Sequence, residues 1–254
     1  MNDAIPWESV ADLYDAYVQT TLDVPFFLDA TRDVQGEVLE LMSGTGRVSL
    51  PLIEAGVRLT CVDYSAEMLK RLEEKLAARN LHADLFVQDA RALDLGKTFE
   101  LIFIPFHAFA EITAPDDQRA ALERICQHLA PDGQFICTLH NPRVRRRTID
   151  VQLRLMGDYA LPKSQRLLVW MQQAYLQDER VASIHQFYET FDARGVMTQR
   201  RMVKIRFALI EHDEFLALAR ATGFETCVLY GNYDKTPFDA GTSPFMLWML
   251  KKAN

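Results

Sequence analysis

Apolar residues arrive along most of the chain in two alternating rhythms. Short, nearly continuous apolar runs of the kind that form strands buried on both faces lie at 37–42, 58–63, 83–88, 99–105 and 133–139. Helical spacing covers 47–55, where Val48, Leu50, Leu52 and Ile53 share a face before Gly56, and then 65–79 and 116–130. Ser65 stands where it can cap the second helix, with Met68 at its third position, and Pro115-Asp116-Asp117 opens the third. Pro131-Asp132-Gly133 then turns the chain into the fifth strand. Strand alternating with helix predicts an α/β fold, a mostly parallel sheet with helices on both faces.

The rhythm changes after Asn141-Pro142. Arg166–Tyr175, Val181–Phe191 and Val196–Phe207 read as three strands, parted by the turn signals Gln177-Asp178-Glu179-Arg180 and Asp192-Ala193-Arg194-Gly195. Residues 143–207 are thus expected to be a small inserted antiparallel subdomain, for substrate or dimer contact, within a main domain of 1–142 and 208–254. A helix near 211–222 and strands at Phe224–Tyr230 and Phe245–Lys251 complete that domain. At the start, Trp7, Val10, Leu13, Tyr14, Tyr17 and Val18 have helical spacing, and Pro25-Phe26-Phe27-Leu28 opens a second helix. Tyr14 and Tyr17, three apart, fall on one face. Residues 1–34 either pack on the main sheet or form a helical lid.

The composition narrows the function classes. With 254 residues, 49% apolar and 25% charged, the chain suits one α/β domain with an elaboration. Its formal charge of −7 argues against a general nucleic-acid binder. No apolar run reaches membrane-spanning length, and Met1-Asn2-Asp3 lacks the basic start of a signal peptide, so a cytoplasmic protein without a membrane partner is expected, as monomer or homodimer. Cys61, Cys126, Cys137 and Cys227 stand singly inside predicted strands or a helix, which argues for buried, reduced thiols and against a metal site.

The densest chemistry is in Glu40-Leu41-Met42-Ser43-Gly44-Thr45-Gly46-Arg47. Strand, glycine turn and helix bring backbone N–H groups and a positive helix end to one point. A dinucleotide site wants a third glycine where Ser49 stands, and the Gly-Lys-Ser/Thr of a phosphate loop is absent. Glu40 would repel a diphosphate but suits a cationic ligand. A carboxylate in a buried strand needs a partner, either that cation or Arg47 or Arg91.

This stretch resembles the first motif of class I S-adenosylmethionine-dependent methyltransferases, with a mild departure at Met42-Ser43, where the family more often has glycine followed by a small residue. Tyr64-Ser65-Ala66-Glu67-Met68 after Asp63, and Gln88-Asp89-Ala90-Arg91, resemble the family's next two motifs. The resemblance implies a Rossmann-like seven-stranded sheet of order 3-2-1-4-5-7-6 and S-adenosylmethionine as cofactor. It would be held by Glu40, Met42, Gly44, Gly46, Arg47, Tyr64, Met68, Gln88, Ala90, Pro105 and Phe106, with Tyr14 and Tyr17 as a cover. Asp63 would accept the ribose hydroxyls and Asp89 the adenine amino group. By layout, the inserted sheet is similar to that of amino-sugar N-methyltransferases.

The expected activity is methyl transfer to N or O, less readily C, of a small-molecule metabolite. The competing expectations are a dinucleotide-dependent oxidoreductase and a non-catalytic cofactor-binding protein. Ile104-Pro105-Phe106-His107 lacks the Asn/Asp-Pro-Pro-aromatic signature of nucleic-acid amino methyltransferases. His107 and His140 both follow strands at the expected methyl position and are candidate catalytic bases. Arg143, first of the basic cluster with Arg145, Arg146 and Arg147, is a candidate for an anionic group on the substrate, the alternative being a solvated loop. Tyr230, Tyr233 and Phe238 are candidate pocket residues, because a plain surface loop is rarely so aromatic.

Overall fold

A computed structural model describes residues 5–253. Residues 1–4, and with them the Met1-Asn2-Asp3 start and the beginning of the expected lid, lie outside the described residues, as does Asn254.

The main sheet has seven strands: β1 (Val38–Leu41), β2 (Leu59–Asp63), β3 (Asp84–Val87), β4 (Phe99–Ile104), β5 (Leu129–His140), β10 (Phe224–Tyr230) and β11 (Phe245–Lys252). Their spatial order is β10-β11-β5-β4-β1-β2-β3. This is the expected 3-2-1-4-5-7-6 read from the other edge. Only β11 runs against its neighbours, pairing antiparallel with β5 and β10. Helices α3 (Ser49–Glu54), α4 (Ala66–Ala77), α5 (Pro115–His128) and α7 (His212–Ala221) accompany the strands. The central strands β1 and β2 are buried at every residue, so they read as apolar runs rather than alternations. Apolar layers form on both faces: Ile102, Ile104, Phe135 and Trp248 on one, Val38, Cys61, Phe103 and Leu247 on the other.

The expected caps are present. Ser65 accepts from the Met68 N–H at 3.4 Å and Pro115 opens α5. The fifth strand begins earlier than expected: α5 ends at His128, and Leu129 already pairs with Phe99 before an irregularity in the ladder.

The inserted region has one strand more than its turn signals announced. β6 (Arg154–Leu161) joins β7 (Gln165–Leu176), β8 (Val181–Phe191) and β9 (Met197–Ala208) in an antiparallel sheet of order β6-β7-β8-β9. β6 escapes detection because it is an edge strand with Asp158, Gly157 and Arg154 among its apolar residues and much of its length exposed. The arginine cluster is also not a loop. Pro142–Thr148 is helix α6, capped by Asn141, whose side chain accepts from the Arg143 N–H at 3.1 Å.

The N-terminal stretch runs through a 3-10 turn (Trp7–Ser9), α1 (Ala11–Tyr17) and α2 (Val24–Thr31). Its first part packs on the inserted sheet, not on the main one: Ile5, Val10 and Leu13 cluster with Leu167, Ile184, Tyr188 and Ile205. Only α2 reaches the main core, where Phe27 stacks on Phe103. Of the four free thiols, Cys227 is exposed, against expectation, because β10 is the edge strand of the main sheet.

Candidate active site

In the main sheet the strand order reverses at β1, between β4 and β2, and ligands of open α/β sheets sit beyond the strand ends at such a point. A cavity of about 660 Å³ lies there. Tyr14, Tyr17, Glu40, Met42, Gly44, Arg47, Asp63, Tyr64, Met68, Pro105, Phe106, His107 and His140 line it, so the chain ends of β1, β2, β4 and β5 converge on one space.

The turn after β1 is held by Asp63. Its two carboxylate oxygens accept from the Gly44 N–H and the Ser65 N–H, each at 2.8 Å, which leaves lone pairs free for a ligand. Gly44 and Gly46 have φ of +56° and +85°. A Cβ on Gly44 would meet open space, whereas one on Gly46 would run into Leu72. Gly46 therefore sits behind the cavity and lets the turn pack against α4. Met42, where the family usually has glycine, is forced into the same left-handed region, with φ +58°.

Glu40 is only 1% exposed. Neither arginine expected as its partner is available. Arg47 makes a two-pronged pair with the buried Asp23 and lies over the Phe106 ring, and Arg91 is taken by Asp89 and Asp117. Among the described residues its hydrogen-bond partner is Ser49, whose hydroxyl donates to Glu40 at 2.6 Å. Burial accordingly pushes the Glu40 carboxyl up to about 8. Burial also raises Asp63 to about 6 and Glu111, which accepts from the Trp7 indole at 3.1 Å, to about 8. Three carboxyls held above their ordinary range in one cavity suit a cationic ligand, and a sulfonium with an amino group is such a ligand.

His107 and His140 stack with ring centres 3.7 Å apart. Phe106 and His107 are successive left-handed residues (φ +54° and +65°), an arrangement that swings the His107 ring inward. His107 is 6% exposed, and among the described residues its buried Nδ1 has no hydrogen-bond partner. Burial, then the neighbouring imidazole and the positive charges of Arg47 and Arg145, hold His107 well below the ordinary histidine range. Burial and Arg145 bring His140 down to about 3. Both rings are neutral at pH 7, acceptors of hydrogen bonds rather than strong bases.

Several expected site residues are not brought to the cavity. Asp89 turns its carboxylate to Arg91 and caps the following turn, Gln88 is bonded to Asp94, and Ala90 is in the core. Arg143 is exposed on the far side of α6. Tyr230 is committed to β10, Tyr233 packs one layer back against Phe26 and Phe245, and Phe238 stacks on His212. The loop that carries them is pinned down instead of roofing the cavity, since the Asn141 amide donates to the Ala240 and Ser243 carbonyls.

Trp7, Glu111, Gln173 and Gln186 line the cavity and were not among the candidate site residues read from the sequence, and of the basic cluster it is Arg145, not Arg143, that lines it. The period-two pattern of β8 could have put Ile184, Gln186 and Tyr188 on one face, but not said which face meets the cavity. The roof is made by Met171, Gln173, Ile184, Gln186, Ile205 and Phe207 of the inserted sheet. Tyr17 joins it to the N-terminal helix, its hydroxyl 2.9 Å from that of Tyr188.

A family model described as a methyltransferase domain matches residues 38–133. A cypemycin N-terminal methyltransferase from a Streptomyces species is 31% identical over 248 residues, 95% of this chain and 94% of that protein. Among solved structures, the CcbJ methyltransferase of Streptomyces caelestis superposes with a TM-score of 0.80 at 23% identity over all of both chains. The sugar N-methyltransferase KedS8 of a Streptoalloteichus species gives 0.74 at 17%, covering 94% of this chain and 91% of that one. The inserted-sheet layout is thus shared with a sugar N-methyltransferase, and the dinucleotide alternative falls away. With a relative of this identity along nearly its whole length, a matching domain model and a cavity suited to a sulfonium, the chain belongs to the S-adenosylmethionine-dependent methyltransferases and takes S-adenosylmethionine as its cofactor.

Proposed function

We propose that the protein N-methylates an amine on a small molecule or on the end of a short chain. The observation that carries this reading is the pair of stacked, neutral imidazoles of His107 and His140 in the cavity, with the buried, unpartnered His107 Nδ1. An imidazole lone pair can hold an N–H of the acceptor and aim the amine's own lone pair, whereas a strong base is not required of a group whose substrate already arrives as a neutral amine. The whole-length relative is named for N-terminal methylation, which supports nitrogen as acceptor.

The cofactor supplies an electrophilic methyl group on a positively charged sulfur. In this reading Glu40 would take its ammonium, Asp63 its ribose hydroxyls, and the Gly44 turn would hold its amino-acid portion. Tyr14, Tyr17 and Trp7 close over it and exclude water, so the methyl meets the acceptor and not solvent. His107 and His140 would hold the acceptor by an N–H and leave its lone pair directed at that methyl, with the proton of the methylated product passing to solvent.

Incubation with methyl-labelled S-adenosylmethionine and matched amine, hydroxyl and carbon acids tests this. Label should appear on amines, and kcat/KM should rise with pH as each amine loses its proton. Label confined to hydroxyl or carbon acceptors would refute the nitrogen assignment.

A further inference from the structure

Of the four arginines on α6, three point away from the cavity or are committed elsewhere. Arg146 pairs with Glu211 at 2.6 Å, Arg147 donates to the Gly241 carbonyl, and Arg143 is exposed. Helical geometry turns Arg145 to the opposite side from Arg143 and Arg147, and it lines the cavity. There its guanidinium is half-buried, with only neutral partners: it donates to the Thr148 hydroxyl at 2.8 Å and to the Gln173 amide oxygen. Among the described residues it makes no ion pair. A desolvated guanidinium without a counter-charge is costly, and burial lowers its proton affinity. A ligand oxyanion would remove that cost, and the guanidinium fork fits a carboxylate through two parallel bonds.

We infer that Arg145 is an anion subsite of the acceptor pocket and that the acceptor is an amine carrying a carboxylate. This rests on the amine reading above and deepens it. Of the two arginines lining the cavity, Arg47 is already paired with Asp23, so Arg145 alone is left to face Glu40, Asp63 and Glu111, and one negative charge is tolerated there while a phosphate dianion is disfavoured. Apart from Gln173 and Gln186 the roof is apolar, through Met171, Ile184, Ile205 and Phe207, which suits an aliphatic or aromatic body. The placement also couples the two ends of the acceptor: a bound carboxylate cancels the positive field of Arg145 at His140, so the imidazole becomes a better acceptor when the right substrate is seated.

The probes are L-leucine, L-leucinamide and inorganic phosphate, titrated by NMR into the protein loaded with S-adenosylhomocysteine, with methyl transfer to the two amines measured in parallel. Leucine should bind at least tenfold more tightly than leucinamide, and its binding should shift the His140 ring resonances. Arg145→Gln should abolish the preference, Arg145→Lys should keep part of it, and the exposed Arg147→Gln should keep all of it. S-adenosylhomocysteine affinity in each variant reports an intact site. Equal binding of leucine and leucinamide, a preference unchanged in Arg145→Gln, or tighter binding of phosphate would overturn the inference. Amine methylation without carboxylate preference would overturn it while leaving the amine reading standing; no amine methylation would sink that reading.

Discussion

At the floor of the cavity, Glu40, Gly44, Asp63, Pro105 and His140 all stand at or just beyond the carboxyl end of one of the parallel strands of the main sheet. At the roof, Gln173, Ile184, Gln186 and Ile205 come from along three antiparallel strands. The floor is made where strands stop. Its residues are fixed by the sheet's own geometry and by backbone N–H groups, as when Asp63 takes the Gly44 and Ser65 amides. The roof is made by every second side chain of strands that continue past the cavity, so one residue can be exchanged without moving a neighbour. A floor of that kind suits a constant ligand, and a roof of this kind suits a ligand that differs from one family member to the next.

The two are tied by the N-terminal stretch. Asp15 accepts from Thr45 at the floor and from Lys75 of α4, Arg47 pairs with Asp23, and on the roof side Asp12 pairs with Arg201 while Tyr17 meets Tyr188. This strap therefore bonds to both halves at once.

The comparison is most exposed at Asp63. Asp63→Ala removes a buried carboxylate that braces the turn and faces the cavity, and should weaken S-adenosylhomocysteine binding by about 2–3 kcal/mol, roughly 30- to 150-fold by calorimetry, with the circular dichroism of the sheet unchanged. An affinity within threefold of wild type would put the cofactor somewhere other than the floor.

A smaller effect should appear in the pH dependence of stability. Glu40 and Glu111 are pushed up to about 8, so between the unfolded carboxyl range and about 8 the folded, ligand-free protein holds protons that the unfolded chain has released. Stability must then fall as pH rises through that window. The buried neutral histidines oppose this slope while their unfolded counterparts lose protons, and above about pH 7.5 the slope belongs to these carboxyls. Raising the pH from about 6.5 to 8 should cost on the order of 1–2 kcal/mol, a few degrees in Tm. Glu40→Gln should flatten the slope, and saturating S-adenosylmethionine, whose ammonium gives Glu40 a partner, should do the same to wild type. A ligand-free Tm that rises over this range would contradict the assignment.

The smallest change lies on the roof. Tyr188→Phe deletes one hydrogen bond to Tyr17 from an otherwise apolar contact and should cost about 1 kcal/mol of stability. Its kinetic effect should fall on the acceptor KM more than on cofactor affinity. An equal loss in both would mean that strap and roof cannot be treated apart from the floor.

Glu40-Leu41-Met42-Ser43-Gly44-Thr45-Gly46 disclosed the floor in advance because its chemistry is local: an acid in a strand, a turn that bends only at glycine, an aspartate ending the next strand. Position on a strand end then follows from sheet topology, and His107 and His140 could be placed there by counting strands. The partner of Glu40 could not be found that way. Ser49 reaches it because α3 starts two residues later than the apolar spacing suggests, and Arg47 is drawn off by Asp23, 24 residues earlier.

The sequence by itself determined the alternation of strands and helices, the glycine turn, the run of acids at strand ends and the presence of an antiparallel insertion, since each depends on residues near one another in the chain. Only the tertiary structure decided which arginine of Arg143, Arg145, Arg146 and Arg147 enters the cavity, that Glu111 and Trp7 meet there, and that the tyrosine-rich loop from 230 to 238 does not. Those outcomes depend on the phase of a short helix and on contacts across a hundred residues, such as Trp7 with Glu111 and Asn141 with Ser243. No local pattern encodes them, because the same side chains in the same order would satisfy either face.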